Sequence, residues 1–156
     1  MNAALLSSRA MDWCTPDDFF ADLNKEFHFA LDAAATPDNA KCANFYTPET
    51  DGLSRPWTGF GGAVFCNPPY GREIGKWVRK GYEESRKGAT VVMLIPARTD
   101  TAYFHDYILD KAEIRFLRGR LYFKRPGCSG NCAPFPSMVV VFRARNPWRK
   151  EGEASE

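Results

Sequence analysis

Asn67-Pro68-Pro69-Tyr70 is the stretch of this chain whose residue types suit chemistry on a planar amine, such as its methylation. An amine on an aromatic ring has its lone pair delocalised and is a poor nucleophile, so a site that activates it must draw that pair out of plane. Two hydrogen-bond acceptors aimed at the two amino hydrogens would do this, and the Asn67 side-chain oxygen and the Pro68 carbonyl are suitable candidates. Pro68 and Pro69 fix φ and lack N–H groups, which makes the loop stiff and leaves its carbonyls without internal competition. Tyr70 offers a flat face on which a base swung out of a duplex could stack, an interaction worth roughly 1–3 kcal/mol. The Asn67 amide cannot act as a general base. The proton must therefore leave only after methyl transfer, and catalysis would rest on positioning and electrostatics.

These four residues need a scaffold. Residues 63–66, Ala-Val-Phe-Cys, read as a buried strand that stops at Asn67, and a loop leaving the carboxyl end of such a strand is where ligands bind in open α/β sheets. Ile74, Trp77, Val78 and Tyr82 then mark one face of a helix that closes near Lys87-Gly88. Residues 90–95 form a continuous apolar run, the pattern of a strand buried on both faces, cut off by Pro96. Upstream, Thr15-Pro16-Asp17-Asp18 reads as a helix start with Thr15 as N-cap and Pro16 in the first position. Phe19, Phe20, Leu23 and Phe27 follow at helical spacing, facing the core, and residues 29–31 make a short strand that ends at Asp32. Residues 36–61 read as loops with one short strand or helix. Downstream come a helix over 100–109 and strands over 113–117, 121–123 and 137–142. Alternation of strand and helix up to residue 110 predicts an α/β fold with a mostly parallel sheet, and the strand-rich end predicts an antiparallel C-terminal strand pair. One domain is expected over 13–145, with a flexible leader at 1–12 and a polar tail at 146–156.

The chain has 156 residues, 44% hydrophobic and 26% charged, a balance that fits one soluble globular domain. Twelve Phe, six Tyr and four Trp can fill its core and leave aromatic faces for a ligand. The formal net charge of +2 excludes a generally basic polyanion binder, so a nucleic acid would have to meet a local patch. No secretory signal or membrane-spanning run is visible, which predicts a cytoplasmic protein. Five scattered cysteines argue against a disulfide framework. Cys128 and Cys132 form a C-x3-C pair, but with Cys14 and Cys42 distant and only His28 and His105 as histidines, no metal site is expected.

An ordered series of motifs runs along the chain: Trp13 with Thr15-Pro16, Leu31-Asp32 with Ala34, Asp51-Gly52-Leu53 with Trp57, and Cys66-Asn67-Pro68-Pro69-Tyr70. It continues through Pro96-Ala97-Arg98-Thr99-Asp100-Thr101, Gly119-Arg120-Leu121 and Ala133-Pro134-Phe135-Pro136-Ser137. From about Trp13 to Phe142 this resembles the phage-type DNA N6-adenine methyltransferase family. The resemblance implies a Rossmann-like methyltransferase sheet, S-adenosylmethionine as methyl donor and site-specific action on adenine in double-stranded DNA inside a bacterial host. Asn67, Pro68, Pro69 and Tyr70 would then be the catalytic loop. Trp13, Thr15, Pro16, Asp32 and Ala34 are similar to positions that line the cofactor. Asp32-Ala33-Ala34-Ala35 replaces the Gly-rich turn usual after the first strand, but Asp32 can still accept a hydrogen bond from the methionine amino group. The stretch between Asp32 and Asn67 is short for two strand and helix units, so part of the adenosine pocket must be built differently. Asp51, Phe45, Tyr46 or Trp57 is expected to contact the adenosine.

Arg98, Arg118, Arg120, Lys124 and Arg125 follow predicted strands on loops, where a base-flipping enzyme needs phosphate anchors. The Gly- and Pro-rich loop over 124–136 is the candidate for entering a DNA groove. Two other readings compete: a methyltransferase of protein glutamine or RNA, since the loop suits any planar amide or amine nitrogen, and a catalytically silent DNA-binding protein. The oligomeric state is left open.

Overall fold

The computed structural model describes residues 14–125, 128–132 and 134–145; the expected leader, Trp13 and the expected tail lie outside them. Helix α1 (Asp17–Phe27) opens with Asp17 and Asp18 in its first turn, where carboxylates meet the positive end of the helix. Its cap corrects the sequence reading. Pro16 holds the N-cap position with φ −59° and ψ 138°, and no side chain caps the helix; the Thr15 hydroxyl is committed to Asn67 instead. At the other end His28 turns into the left-handed region, its N–H donating to Asn24 O at 2.9 Å. Asn24 Oδ1 accepts from the Phe29 N–H at 2.8 Å, and the chain enters strand β1 (Phe29–Asp32) at once.

Strand β2 (Asn44–Phe45) and a 3-10 turn (Gly52–Ser54) are the regular pieces within residues 36–61. Strand β3 (Ala63–Cys66), helix α2 (Ile74–Arg86) and strand β4 (Val91–Pro96) follow as expected. Residues 104–108 form a π-helical turn rather than an α-helix, with the Leu109 N–H reaching back to Phe104 O at 2.8 Å. Phe104 and Ile108 are both buried, a four-residue spacing that a sequence pattern reads equally as α. Strands β5 (Glu113–Phe116), β6 (Tyr122–Arg125), β7 (Cys128–Cys132) and β8 (Ser137–Phe142) complete the order.

The main sheet has six strands in the order β2-β1-β3-β4-β8-β5. β1 runs parallel to β2 and β3, and β3 parallel to β4, whereas β8 is antiparallel to both β4 and β5. The expected mixed α/β sheet, mostly parallel with an antiparallel C-terminal pair, is therefore present. Alternate residues of β4 serve opposite faces. Val91, Met93 and Ile95 join Trp57, Trp77 and Ile108 on one side, and Val92 and Leu94 join Leu23, Phe65 and Val139 on the other. Helix α2 and the π turn cover the first face and α1 the second, with Phe19, Phe20 and Phe27 packed as their spacing predicts.

β6 and β7 pair with each other as a separate antiparallel hairpin, Tyr122 opposite Cys132 and Arg125 opposite Cys128. This corrects the expectation of a loop over 124–136, and it places Lys124 and Arg125 within a strand. Glycine and proline signalled a loop here, yet the bulge between Phe123 and Arg125 lets an irregular sequence pair. Cys128 and Cys132 both lie in β7.

Candidate active site

Parallel strands deliver their carboxyl ends to one edge of the sheet, and the catalytic candidates collect there. Ladder bonds continue one step past the strands: the Ala33 N–H donates to Phe65 O at 2.9 Å, the Tyr46 N–H to Asp32 O at 3.0 Å and the Ala35 N–H to Tyr46 O at 2.9 Å. The loops after β1, β2 and β3 thus leave side by side and open a cleft between them. Thr15, Asp32, Ala34, Asp51, Asn67 and Pro68 line it, which brings together four of the six expected cofactor residues and the start of the Asn-Pro-Pro-Tyr loop. Pro16 does not line the cleft, being used at the helix start.

β3 ends at Asn67 because two prolines follow that cannot donate to a ladder. Asn67 Nδ2 donates to the buried Thr15 Oγ1 at 2.9 Å. That bond ties the loop to the segment before α1, fixes the amide's orientation and leaves Oδ1 as its acceptor. Pro68 is buried and Pro69 exposed. Tyr70 departs from the sequence expectation of an open stacking face. Its ring is 6% exposed, its hydroxyl donates to Leu94 O at 3.1 Å, and Phe135 meets it edge-on with centroids 5.4 Å apart. Burial pushes its phenol well above the ordinary range. In this structure Tyr70 anchors the loop under β4.

Asp32 is the charge at the centre of the cleft. It is 3% exposed, and burial pushes its carboxyl up to about 6, against the opposing pull of the Lys41 and Ala34 amides and the Lys41 charge. Oδ2 accepts from the Lys41 N–H at 3.0 Å, whereas Oδ1 is buried with no hydrogen bond of ordinary geometry among the described residues. A buried carboxylate in a cleft whose Oδ1 has room for a further donor suits a cationic ligand group. The carboxylate, the backbone bends and the apolar wall therefore fit the ammonium and adenosine ends of an aminoacyl nucleoside.

Asp51 enters the cleft through a strained backbone, with φ 56° and ψ 84°. The following residue explains why the chain can turn there: a Cβ on Gly52 would lie 2.3 Å from Ala33 O and 3.2 Å from the Trp77 ring. Trp57, expected as a possible adenosine contact, is instead a brace. Its indole N–H donates to Gly52 O at 2.8 Å, its backbone N–H donates to the buried Glu84 at 2.9 Å, and its ring stacks on Trp77. Tyr46 and Trp77 line the cleft and Phe45 does not. Sequence reasoning missed Asn39 and Lys41, which also line it; they sit in an aperiodic polar loop, and only their nearness to Asp32 in sequence marked them.

Arg98 follows β4, and Arg118 and Arg120 follow β5, all exposed. β5 runs in the direction of β4, since both oppose β8, so these arginines stand on the same edge as the cleft. The hairpin rises from this edge too. The Leu117 N–H donates to Ser137 O at 3.1 Å and the Ala97 N–H to Pro136 O at 2.8 Å, which clamps its root between β4 and β5. Among the described residues no group of His, Cys, Asp or Glu could hold a metal ion, and no helix is long and apolar enough to cross a membrane.

The family model for DNA N-6-adenine-methyltransferase (Dam) matches residues 3–153. The chain belongs to this family. A DNA N-6-adenine-methyltransferase of Escherichia phage T1 is 37% identical over 111 residues, covering 70% of this chain and 45% of that protein. One of Haemophilus phage HP1 (strain HP1c1) is 29% identical over 143 residues, covering 87% of this chain and 80% of its own length. The chain thus spans under half of the T1 protein and most of the HP1 one. The family's match covers the cleft, the Asn-Pro-Pro-Tyr loop, the arginine edge and the hairpin alike.

Proposed function

We propose that this chain methylates the exocyclic amino group of adenine in double-stranded DNA, using S-adenosylmethionine bound in the cleft of a Rossmann-like methyltransferase sheet. The observation that carries the reading is the Asn67 amide, oriented by Thr15 and sharing one cleft with the buried Asp32 carboxylate. S-adenosylmethionine, when bound, supplies an electrophilic methyl group on a sulfonium. Asp32 holds its ammonium, Ala34 and Asp51 line its path, and Asn67 Oδ1 with the Pro68 carbonyl accepts the two amino hydrogens of the target base. As the nitrogen becomes tetrahedral those two bonds strengthen, and the acidic product sheds its extra proton to water. Tyr70 holds the loop in register through its bond to Leu94 O.

Arg98, Arg118 and Arg120 would anchor phosphates, and the β6–β7 hairpin, with Lys124 and Arg125, would enter a groove. The T1 and HP1 relatives are phage proteins, which supports action on DNA in a bacterial cytoplasm. Their printed activity favours DNA over a protein or RNA substrate, and the intact Asn67–Thr15 pair favours an active enzyme over a silent binder.

The test is modified-base sequencing of duplex DNA incubated with purified chain and donor. Asn67→Ala should lower turnover roughly 10²–10³-fold in a protein that still folds, with a melting temperature lowered only by the lost bond to Thr15. Near-normal turnover would remove Asn67 from the chemistry.

A further inference from the structure

Lys41 is used twice in the cleft. Its backbone N–H donates to Asp32 Oδ2 at 3.0 Å, the residue lines the cleft, and its side chain, 15% exposed, has Nζ paired to Asp17 Oδ1 at the cleft's neighbouring helix start. Among the described residues lining the cleft it is the one cation, sharing it with the carboxylates Asp32 and Asp51. Asp17 itself is 70% exposed, so it screens the ammonium from the solvent side rather than burying it.

A free amino acid end carries its ammonium and its carboxylate on the same carbon. A receptor for both must set an anion and a cation close together, each partly stripped of water. The hydrogen bond from the Lys41 amide to Asp32 does that with a single residue: it fixes the anion and starts the stem that carries the cation. Lysine suits the task as a compact charge on a flexible stem with three donors, able to keep Asp17 and take a second carboxylate.

We propose that Lys41 Nζ is the receptor for the methionine carboxylate of the donor, opposite Asp32 as receptor for its ammonium. This rests on the donor assignment above and names the residue that reads the zwitterion. Lys41 is thereby a specificity residue, separating donors with a free carboxylate from adenosine derivatives without one.

Titration calorimetry on the full chain compares S-adenosylmethionine with its decarboxylated analogue. Loss of a charge-assisted hydrogen bond should weaken binding of the analogue to the wild type roughly tenfold or more. Lys41→Met should bind S-adenosylmethionine as weakly as the analogue, with little change for the analogue itself. Lys41→Gln, of similar length and still able to bond Asp17, repeats the test if Lys41→Met melts early. Equal binding of both ligands by the wild type overturns the carboxylate contact, and full discrimination surviving in the Lys41 variants overturns Lys41 as its receptor. Binding of neither ligand overturns the donor assignment and this inference with it.

Discussion

At the scale of single residues, the chemistry of the cleft turns on a carboxyl whose protonation lies near neutrality. Burial pushes Asp32 up to about 6, whereas the same group in an unfolded chain titrates near 3.9. Between those values the folded protein binds the extra proton, so holding Asp32 ionised is a burden on folding above pH 6, and stability rises as pH falls through that window. A cationic ligand reverses the balance because it favours the ionised form. Donor affinity should therefore be flat between about pH 6 and the point at about pH 7.7 where the donor's own α-ammonium begins to deprotonate, and fall as pH drops below about 6, roughly tenfold per unit. Asp32→Asn should bind weakly and without this dependence. Calorimetric dissociation constants from pH 5 to 8 decide the matter, and a wild-type curve flat to pH 5 would mean that Asp32 does not meet a cation. Asp32 and Asn67 were legible in the sequence because each ends an apolar run. The fate of Tyr70 was not: its neighbours in sequence are prolines, and what buries it, Leu94 and Phe135, comes from β4 and the approach to β8.

At the scale of elements, the strands were readable and their long connections were not. β3 and β4 are apolar throughout, β8 is apolar after Ser137, and all three are buried throughout, so pattern and structure coincide. The segment between β1 and β3 has no period because its order comes from braces: Trp57 to Gly52, Trp57 to Glu84, Tyr46 to Asp32. Gly52 is where this bracing is tightest, and a comparison of two glycines tests it. Gly75, in the first turn of α2, has only ordinary contact with Tyr103 at 3.6 Å. Gly75→Ala should then be neutral or stabilising by up to about 1 kcal/mol, since alanine restricts the unfolded chain. The same change at Gly52 drives a methyl into the Ala33 carbonyl and should cost roughly 1–3 kcal/mol. It should also weaken donor binding, because the displaced turn carries Asp51. Melting temperatures of the two variants, with and without donor, read both effects. A Gly52→Ala protein as stable as Gly75→Ala would show that the turn has slack.

At the scale of the whole molecule, a net charge of +2 leaves little long-range field, so DNA must be held by where the charges sit. Topology decides that placement. Because β5 and β4 run the same way and β8 returns between them, Arg98, Arg118 and Arg120 reach the edge that holds Asn67. A sequence reading could say that these arginines follow strands, but not that the strands end on one edge, since the insertion of β8 between β4 and β5 is a long-range fact. Each arginine that neutralises a duplex phosphate contributes about 0.9 to the slope of log affinity against log salt. Replacing all three by alanine should lower that slope by up to about 3, weakening binding most at low salt, while donor affinity and melting temperature stay at wild-type values. Fluorescence anisotropy with a labelled duplex across a salt series measures the slope. A slope unchanged in the triple variant would move the phosphate contacts off this edge and leave the β6–β7 hairpin as the main holder of the DNA.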